Sequence, residues 1–139
     1  MTPRVRRALN LLNGSTLAGL LVARAGRATL APGADGITLA VGYRLPVPTA
    51  SAFCLGNLII TKLSPAELPG AGAMLAHEAR HATQYAWCAG LAMLPAYFCC
   101  AGVSWLLTGD FATWNVFERR AGLAEGGYCR RPLRWQRGS

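Results

Sequence analysis

Hydrophobic and polar positions along the chain divide it into short elements of changing period. Residues 4 to 12 read as a helix, Asn13-Gly14 interrupts it, and Ser15 is placed to cap a second short helix running to about Arg24. Gly26 to Gly36, rich in Gly, Ala and Pro, reads as a loop, and Ile37 to Val41 as a strand. Pro46, Pro48 and the small residues after them mark another connection. Phe53 to Thr61, FCLGNLIIT, sets aromatic and branched side chains between turn signals and is the strongest strand candidate. Ser64-Pro65-Ala66-Glu67 has the form of a capping box with proline at the first helical position, although Pro69-Gly70 soon interrupts it. The main helix is predicted from about Ala71 to Ala89, ended by Gly90, and Pro95 opens another that reaches about Leu107.

These elements predict an α+β fold, mostly helical, with a short sheet beside the main helix. A chain of 139 residues is long enough for one domain with a real core, with flexible basic ends at about 1–4 and 130–139. Between Ala82 and Gly109 there is no Lys, Arg, Asp or Glu, so a transmembrane span has to be weighed. Gly90 and Pro95 split that run, and the piece after Pro95 is shorter than the ~20 residues a bilayer requires. A buried core helix is the expectation there.

Charge changes the picture only at the ends. The formal net charge is +8, but Arg4, Arg6, Arg7, Arg130, Arg131, Arg134 and Arg137 lie in the termini, and without those seven the body carries +1. They read as solvated tails that can touch an anionic surface nonspecifically; no nucleic-acid-binding motif accompanies them. Five cysteines (Cys54, Cys88, Cys99, Cys100, Cys129) form no CxxC pair and read as reduced, buried thiols, which favours a cytoplasmic location. Arg4, Arg6 and Arg7 ahead of an apolar stretch ending in Ala23-Arg24-Ala25 outline a signal peptide, yet Asn10 and Asn13-Gly14-Ser15 interrupt it, so secretion is the weaker expectation.

Candidate chemistry is concentrated in LAHEARHATQYA, residues 75 to 86, which holds both histidines of the chain. Side chains four apart on a helix are stacked about 5 to 6 Å apart at Cβ, so His77 and His81 can aim two imidazole nitrogens at one point. A zinc ion accepts that geometry. Glu78 lies about 100° further round the helix, beside such an ion without being forced onto it, where a base for an attacking water belongs. The competing reading is a chance arrangement of ordinary helix residues. A third ligand must come from few candidates: Asp35 and Glu67 lie upstream, and Cys88 is seven residues beyond His81, ~10.5 Å along the axis. Asp110, Glu118 and Glu125 remain. Glu118, in NVFERRAG, is favoured because it opens a helix; alternatively Asn115 is an N-cap and Glu118 completes its capping box.

His77-Glu78-Ala79-Arg80-His81 with Gln84-Tyr85, then Pro95-Ala96-Tyr97, then Asn115-Val116-Phe117-Glu118-Arg119-Arg120-Ala121, resembles small bacterial zincin-like proteins of the gluzincin type, over about residues 53 to 128. Those families join an HExxH helix to a later glutamate in a pattern like NPFExxA; Val116 stands here where proline is common. The resemblance implies a zincin-like domain in which His77, His81 and Glu118 ligate Zn2+ and Glu78 is the general base of a metallopeptidase acting on a peptide or protein.

Gln84 and Tyr85 follow one turn beyond His81. Facing the cleft, a tyrosine there would hydrogen-bond a developing oxyanion, while core packing or the helix surface competes for both residues. Tyr128 and Tyr97 are further candidates for such contacts, and Arg80 reads as solvated. Two other functions remain open on the sequence: an inactive or metal-stabilised binding module, and a small membrane-associated protein anchored through residues 86–107.

Overall fold

A computed structural model describes residues 1 to 136; Arg137, counted in the basic tail above, lies outside the described residues. Among the described residues the fold is α+β, with five α-helices and a four-stranded mixed sheet. The helices are α1 (Pro3–Leu12), α2 (Ser15–Ala25), α3 (Gly72–Trp87), α4 (Met93–Thr108) and α5 (Val116–Ala121). The strands are β1 (Thr29–Pro32), β2 (Thr38–Val41), β3 (Ala52–Leu55) and β4 (Leu58–Thr61), in the order β1-β2-β4-β3. β2 and β4 run parallel; the outer pairings are antiparallel.

The stretch 53–61, expected as one strand, is a hairpin with Leu55 paired to Leu58. Gly56 has φ +65° and Asn57 is not in the positive-φ region, the pattern of a type II′ turn. The turn also passes so close to α2 that a Cβ on Gly56 would lie 2.4 Å from the backbone between Ser15 and Thr16. β1 falls inside the predicted loop. Its side chains are mostly exposed, so it carries no apolar alternation to announce itself.

All four residues of β4 are buried because the sheet is covered on both faces. Leu58 and Ile60 pack with Ala23 of α2, whereas Ile59 packs with Ala82 of α3. β3 is left at the sheet edge, against α3.

Polar residues fasten the N-terminal helices to this body. Asn10 is fully buried and donates to the Ala82 carbonyl at 2.8 Å. Arg6, read as part of a solvated tail, is buried as well: it donates to Asn57 Oδ1 at 3.1 Å and to the Asp35 carbonyl at 2.6 Å. Ser15 is the first residue of α2, not its cap; its hydroxyl bonds Asn10 O and Asn13 Oδ1, and Gly14 holds the cap position. Ser64 and Glu67 do close on each other, the Ser64 amide donating to the Glu67 carboxylate at 2.7 Å, but a turn and a 3-10 stretch follow, not an α-helix.

α4 overturns the expectation of a buried core helix. It packs through Met93, Ala101, Ser104 and Thr108 and exposes Phe98, Val103, Trp105 and Leu106. The helical run Gly90–Thr108 is long and apolar enough to cross a membrane by length and composition, with mean hydropathy 1.6 and 22% of it buried. The cysteines are free but not buried: Cys54, Cys88 and Cys100 are half-buried, and Cys99 and Cys129 are exposed. Cys99 is outside because α4 turns its apolar side outward.

Candidate metal centre

α3 buries one face, formed by His77, Glu78, His81, Ala82 and Tyr85, at the spacing a 3.6-residue period dictates. α5 is short and starts where Asn115 caps it, the Asn115 side chain accepting from the Phe117 amide at 3.0 Å. The cap half of the alternative reading therefore holds, but Glu118 does not complete a capping box. Its carboxylate turns inward to the histidine pair. One oxygen is 3.1 Å from His77 Nε2 and the other 3.6 Å from His81 Nε2, and the two Nε2 atoms are 3.1 Å apart. The three donor atoms lie within 4.8 Å of one another and all three residues are buried.

The rings are held by acceptors behind them. His77 Nδ1 lies 2.8 Å from the Gly122 carbonyl, which can only accept, so Nδ1 carries the hydrogen. His81 Nδ1 lies 2.8 Å from Gln84 Oε1, and Gln84 Nε2 donates to the Phe117 carbonyl at 2.9 Å, which fixes the amide so that its oxygen faces the ring. With the rings neutral, both Nε2 atoms then present lone pairs toward the Glu118 carboxylate. Tyr97 donates to Glu118 Oε1 at 2.5 Å. Glu118 Oε2 is buried without a hydrogen-bond partner, since its neighbour His77 Nε2 supplies a proton only as imidazolium. Converging lone pairs around an orphaned buried carboxylate oxygen are the donor set a divalent cation satisfies.

Titration follows the same geometry. Burial alone would raise the Glu118 carboxyl, yet the neighbouring His77 and His81 rings and the Tyr97 hydroxyl hold it down at about 2. Burial alone would lower the His77 imidazole, but bonding to Glu118 and Gly122 outweighs it and the net shift is upward. Glu78 is pushed up by burial, with His81 and His77 offsetting part of the effect. The Cys54 backbone at the sheet edge offsets a little more of it.

A cavity of about 310 Å³ opens on this cluster, lined by Cys54, Glu78, His81, Tyr85, Tyr97 and Tyr128 among others. A larger hollow of about 760 Å³ lies beyond α5, lined by Trp114, Arg119, Arg120 and Arg130, and shares only Tyr128 with the first. The chemistry belongs to the smaller one. Tyr85 reaches its wall but is almost wholly buried. Gln84 is not in the lining; it orients His81 instead. Tyr128 lies 6.0 Å from His77, centroid to centroid, with its phenol pushed up by burial to about 12. Asp110 and Glu125, the other candidate carboxylates, lie outside the cluster: Asp110 caps a turn at Thr113, and Glu125 pairs with Arg80 at 3.3 Å. Arg80 is thereby partnered, not simply solvated, and also donates to the Ala121 carbonyl.

Sequence reasoning missed Gly122, Phe117 and Gly126. The first two act through backbone carbonyls, which carry no residue signature. Gly126 backs the His77 ring so closely that a Cβ there would sit 2.6 Å from Cε1. Compared with protein-family models, with curated proteins and with solved structures, the chain gives no match.

Proposed function

We propose that the protein is a zinc-dependent peptidase with a zincin-like site. The observation that carries the proposal is the convergence of His77 Nε2, His81 Nε2 and the Glu118 carboxylate within 4.8 Å, with both Nδ1 atoms tied to acceptors behind them. His77, His81 and Glu118 would hold the ion. A zinc ion so bound supplies Lewis acidity, which acidifies a water and polarises a carbonyl.

The remaining steps belong to the chain. Glu78 is buried at the cavity wall with a raised carboxyl pKa, so its carboxylate is a stronger base than a solvated one; it takes the proton of the attacking water and returns it to the leaving amine. Tyr128 keeps its phenolic proton at neutral pH and is placed on the same wall to donate to an oxyanion. Tyr97 and Gln84 position, since each touches a ligand or its ring rather than the cavity's reacting centre. An extended peptide would lie along β3, whose residues Ala52, Phe53 and Cys54 border the cavity from the sheet edge. Free cysteines agree with a reducing, cytoplasmic setting for this chemistry.

Metal analysis of the purified protein, paired with cleavage of a quenched-fluorescence peptide library, tests the proposal. One equivalent of zinc, and cleavage abolished by chelation and by Glu78→Gln with metal retained, are expected. Glu78→Gln cleaving as fast as wild type removes the base, and protein that takes up no zinc removes the proposal.

A further inference from the structure

The distribution of polar and apolar side chains on α4 is inverted. Its hydroxyls face inward: Ser104 donates to the Asp110 carbonyl at 2.7 Å and accepts from the Trp114 amide at 2.8 Å, and Thr108 is fully buried. Its outward stripe is Pro95, Phe98, Cys99, Val103 and Leu106, with Phe98 and Leu106 each 66% exposed. A helix surrounded by water carries charge on that side. Here none occurs from Ala82 to Gly109.

The far end of the helix carries the complement. Trp105 stacks with Phe111, the Arg134 guanidinium lies over Trp105 at 4.9 Å, and Arg119 lies over Trp114 at 5.3 Å. Trp105, Phe111, Trp114 and Trp135 are all exposed. Between Gly109 and Gln136 there are five arginines against three carboxylates, and each carboxylate is engaged: Asp110 by Thr113 and Arg131, Glu118 by Tyr97 and Glu125 by Arg80. Exposed apolar residues bordered by tryptophans, with uncompensated arginines stacked on them, match the hydrocarbon, interface and phosphate levels of an anionic bilayer surface.

We propose that the outer face of α4 docks this protein onto an anionic membrane surface, lying in the plane of the interface. The opposite face of the helix is bound to the body through Ser104, Thr108 and Tyr97, so only one side is free to meet lipid and the helix does not cross. A second copy of the chain is the poorer occupant, because it brings no anionic surface to meet the arginines stacked at the end of the helix. Phe98 belongs both to the docking stripe and to the rim of the 310 Å³ cavity, so the cavity mouth opens beside the lipid. The docking proposal does not depend on the metal centre.

Sedimentation of the full chain with unilamellar vesicles tests it, using phosphatidylcholine alone against phosphatidylcholine mixed with phosphatidylglycerol. Wild type is expected to sediment with the anionic vesicles, to be released by high salt, and to remain in solution with the neutral ones. Combined Val103→Ser and Leu106→Ser should weaken partition by about tenfold or more, and Arg130→Gln by about fivefold, each with an unchanged circular-dichroism spectrum. Brominated acyl chains should quench the native tryptophan fluorescence, a readout that needs no variant. Wild type left in the supernatant, equal binding to neutral vesicles, or full binding by the folded serine variant overturns the proposal. So does a stable dimer that the serine variant disperses and that ignores vesicles.

Discussion

α3 and α4 are both 16 residues long, and both contribute to the same cavity, yet they solve opposite problems. α3 takes two imidazoles and a carboxylate out of water; α4 leaves phenylalanine, valine, tryptophan and leucine in contact with it. In each case the surroundings, not the hydropathy of the residue, decide which way a side chain faces. The buried polar groups of α3 are tolerable because α5 brings carbonyls and a carboxylate to meet them, and each unmet group would cost about 1–3 kcal/mol or more. The inner hydroxyls of α4 are satisfied in the same way by Asp110 and Trp114. What remains for its outer face is apolar by default.

The sharpest way to break the α3 side of the contrast is Glu118→Ala. Removing the carboxylate leaves two imidazoles without their shared partner, and zinc affinity measured by competition with a chromophoric chelator should fall by more than the ~10- to 100-fold typical of a lost supporting hydrogen bond. Retained affinity would mean that Glu118 serves packing alone. Tyr97→Phe and Gln84→Ala test those supports, and each should weaken zinc binding by about 10- to 100-fold while the other ligands stay in place. Gly126→Ala should act in the same direction, since its new methyl group forces the His77 ring to move; overpacking of this kind costs about 1–3 kcal/mol.

Acidity separates the metal-free protein from the loaded one. The folded Glu118 pKa is depressed to about 2, so its contribution is complete above the ordinary value of 4.5 and is lost as pH falls toward 2. The folded His77 pKa is raised, so its contribution is complete below the ordinary 6.5 and is lost as pH rises through the shifted value. Chelated protein should therefore melt highest between roughly pH 4.5 and 6.5, and added zinc should restore stability mainly above that window. A chelated protein that grows steadily more stable above neutrality would contradict the pairing.

The smallest effects sharpen the α4 side. Ser104→Ala strips the Trp114 amide of its acceptor and the Asp110 carbonyl of one of its two donors, and should cost about 1–3 kcal/mol in denaturant unfolding. Val103→Ser, on the outside of the same helix, should stay within about 0.5 kcal/mol in the absence of lipid. Equal costs would show that the helix is packed on both sides.

Much of the α3 side is legible in the chain. Two histidines four apart fix one face of a helix, and a glutamate three residues beyond a capping asparagine opens another. The cap and ligand readings of Glu118 share one local sequence, and only the position of α5 against α3 separates them. The Gly56-Asn57 turn was also present in the letters FCLGNLIIT, but continuous apolar character on both sides of it reads as one strand. β1 and the buried Arg6 leave no such trace, because an exposed edge strand has no period and an arginine is buried only where Asn57 and the Asp35 carbonyl are waiting. α4 fails for a related reason: hydropathy says that a helix avoids water, and is silent about what shields it.

α5 and the glycine that caps its end hold more of the centre than one ligand. Phe117 and Gly122, on either side of Glu118, supply the two carbonyls that set the rotation of His81 and His77, the former through Gln84. A cation gripped there is thus a non-covalent cross-link between polypeptide positions some forty residues apart, and withdrawing it unfastens a whole segment at once. Scarcity of the ion would then be felt first as amide hydrogens from Val116 to Tyr128 exchanging with solvent, before any change in the sheet.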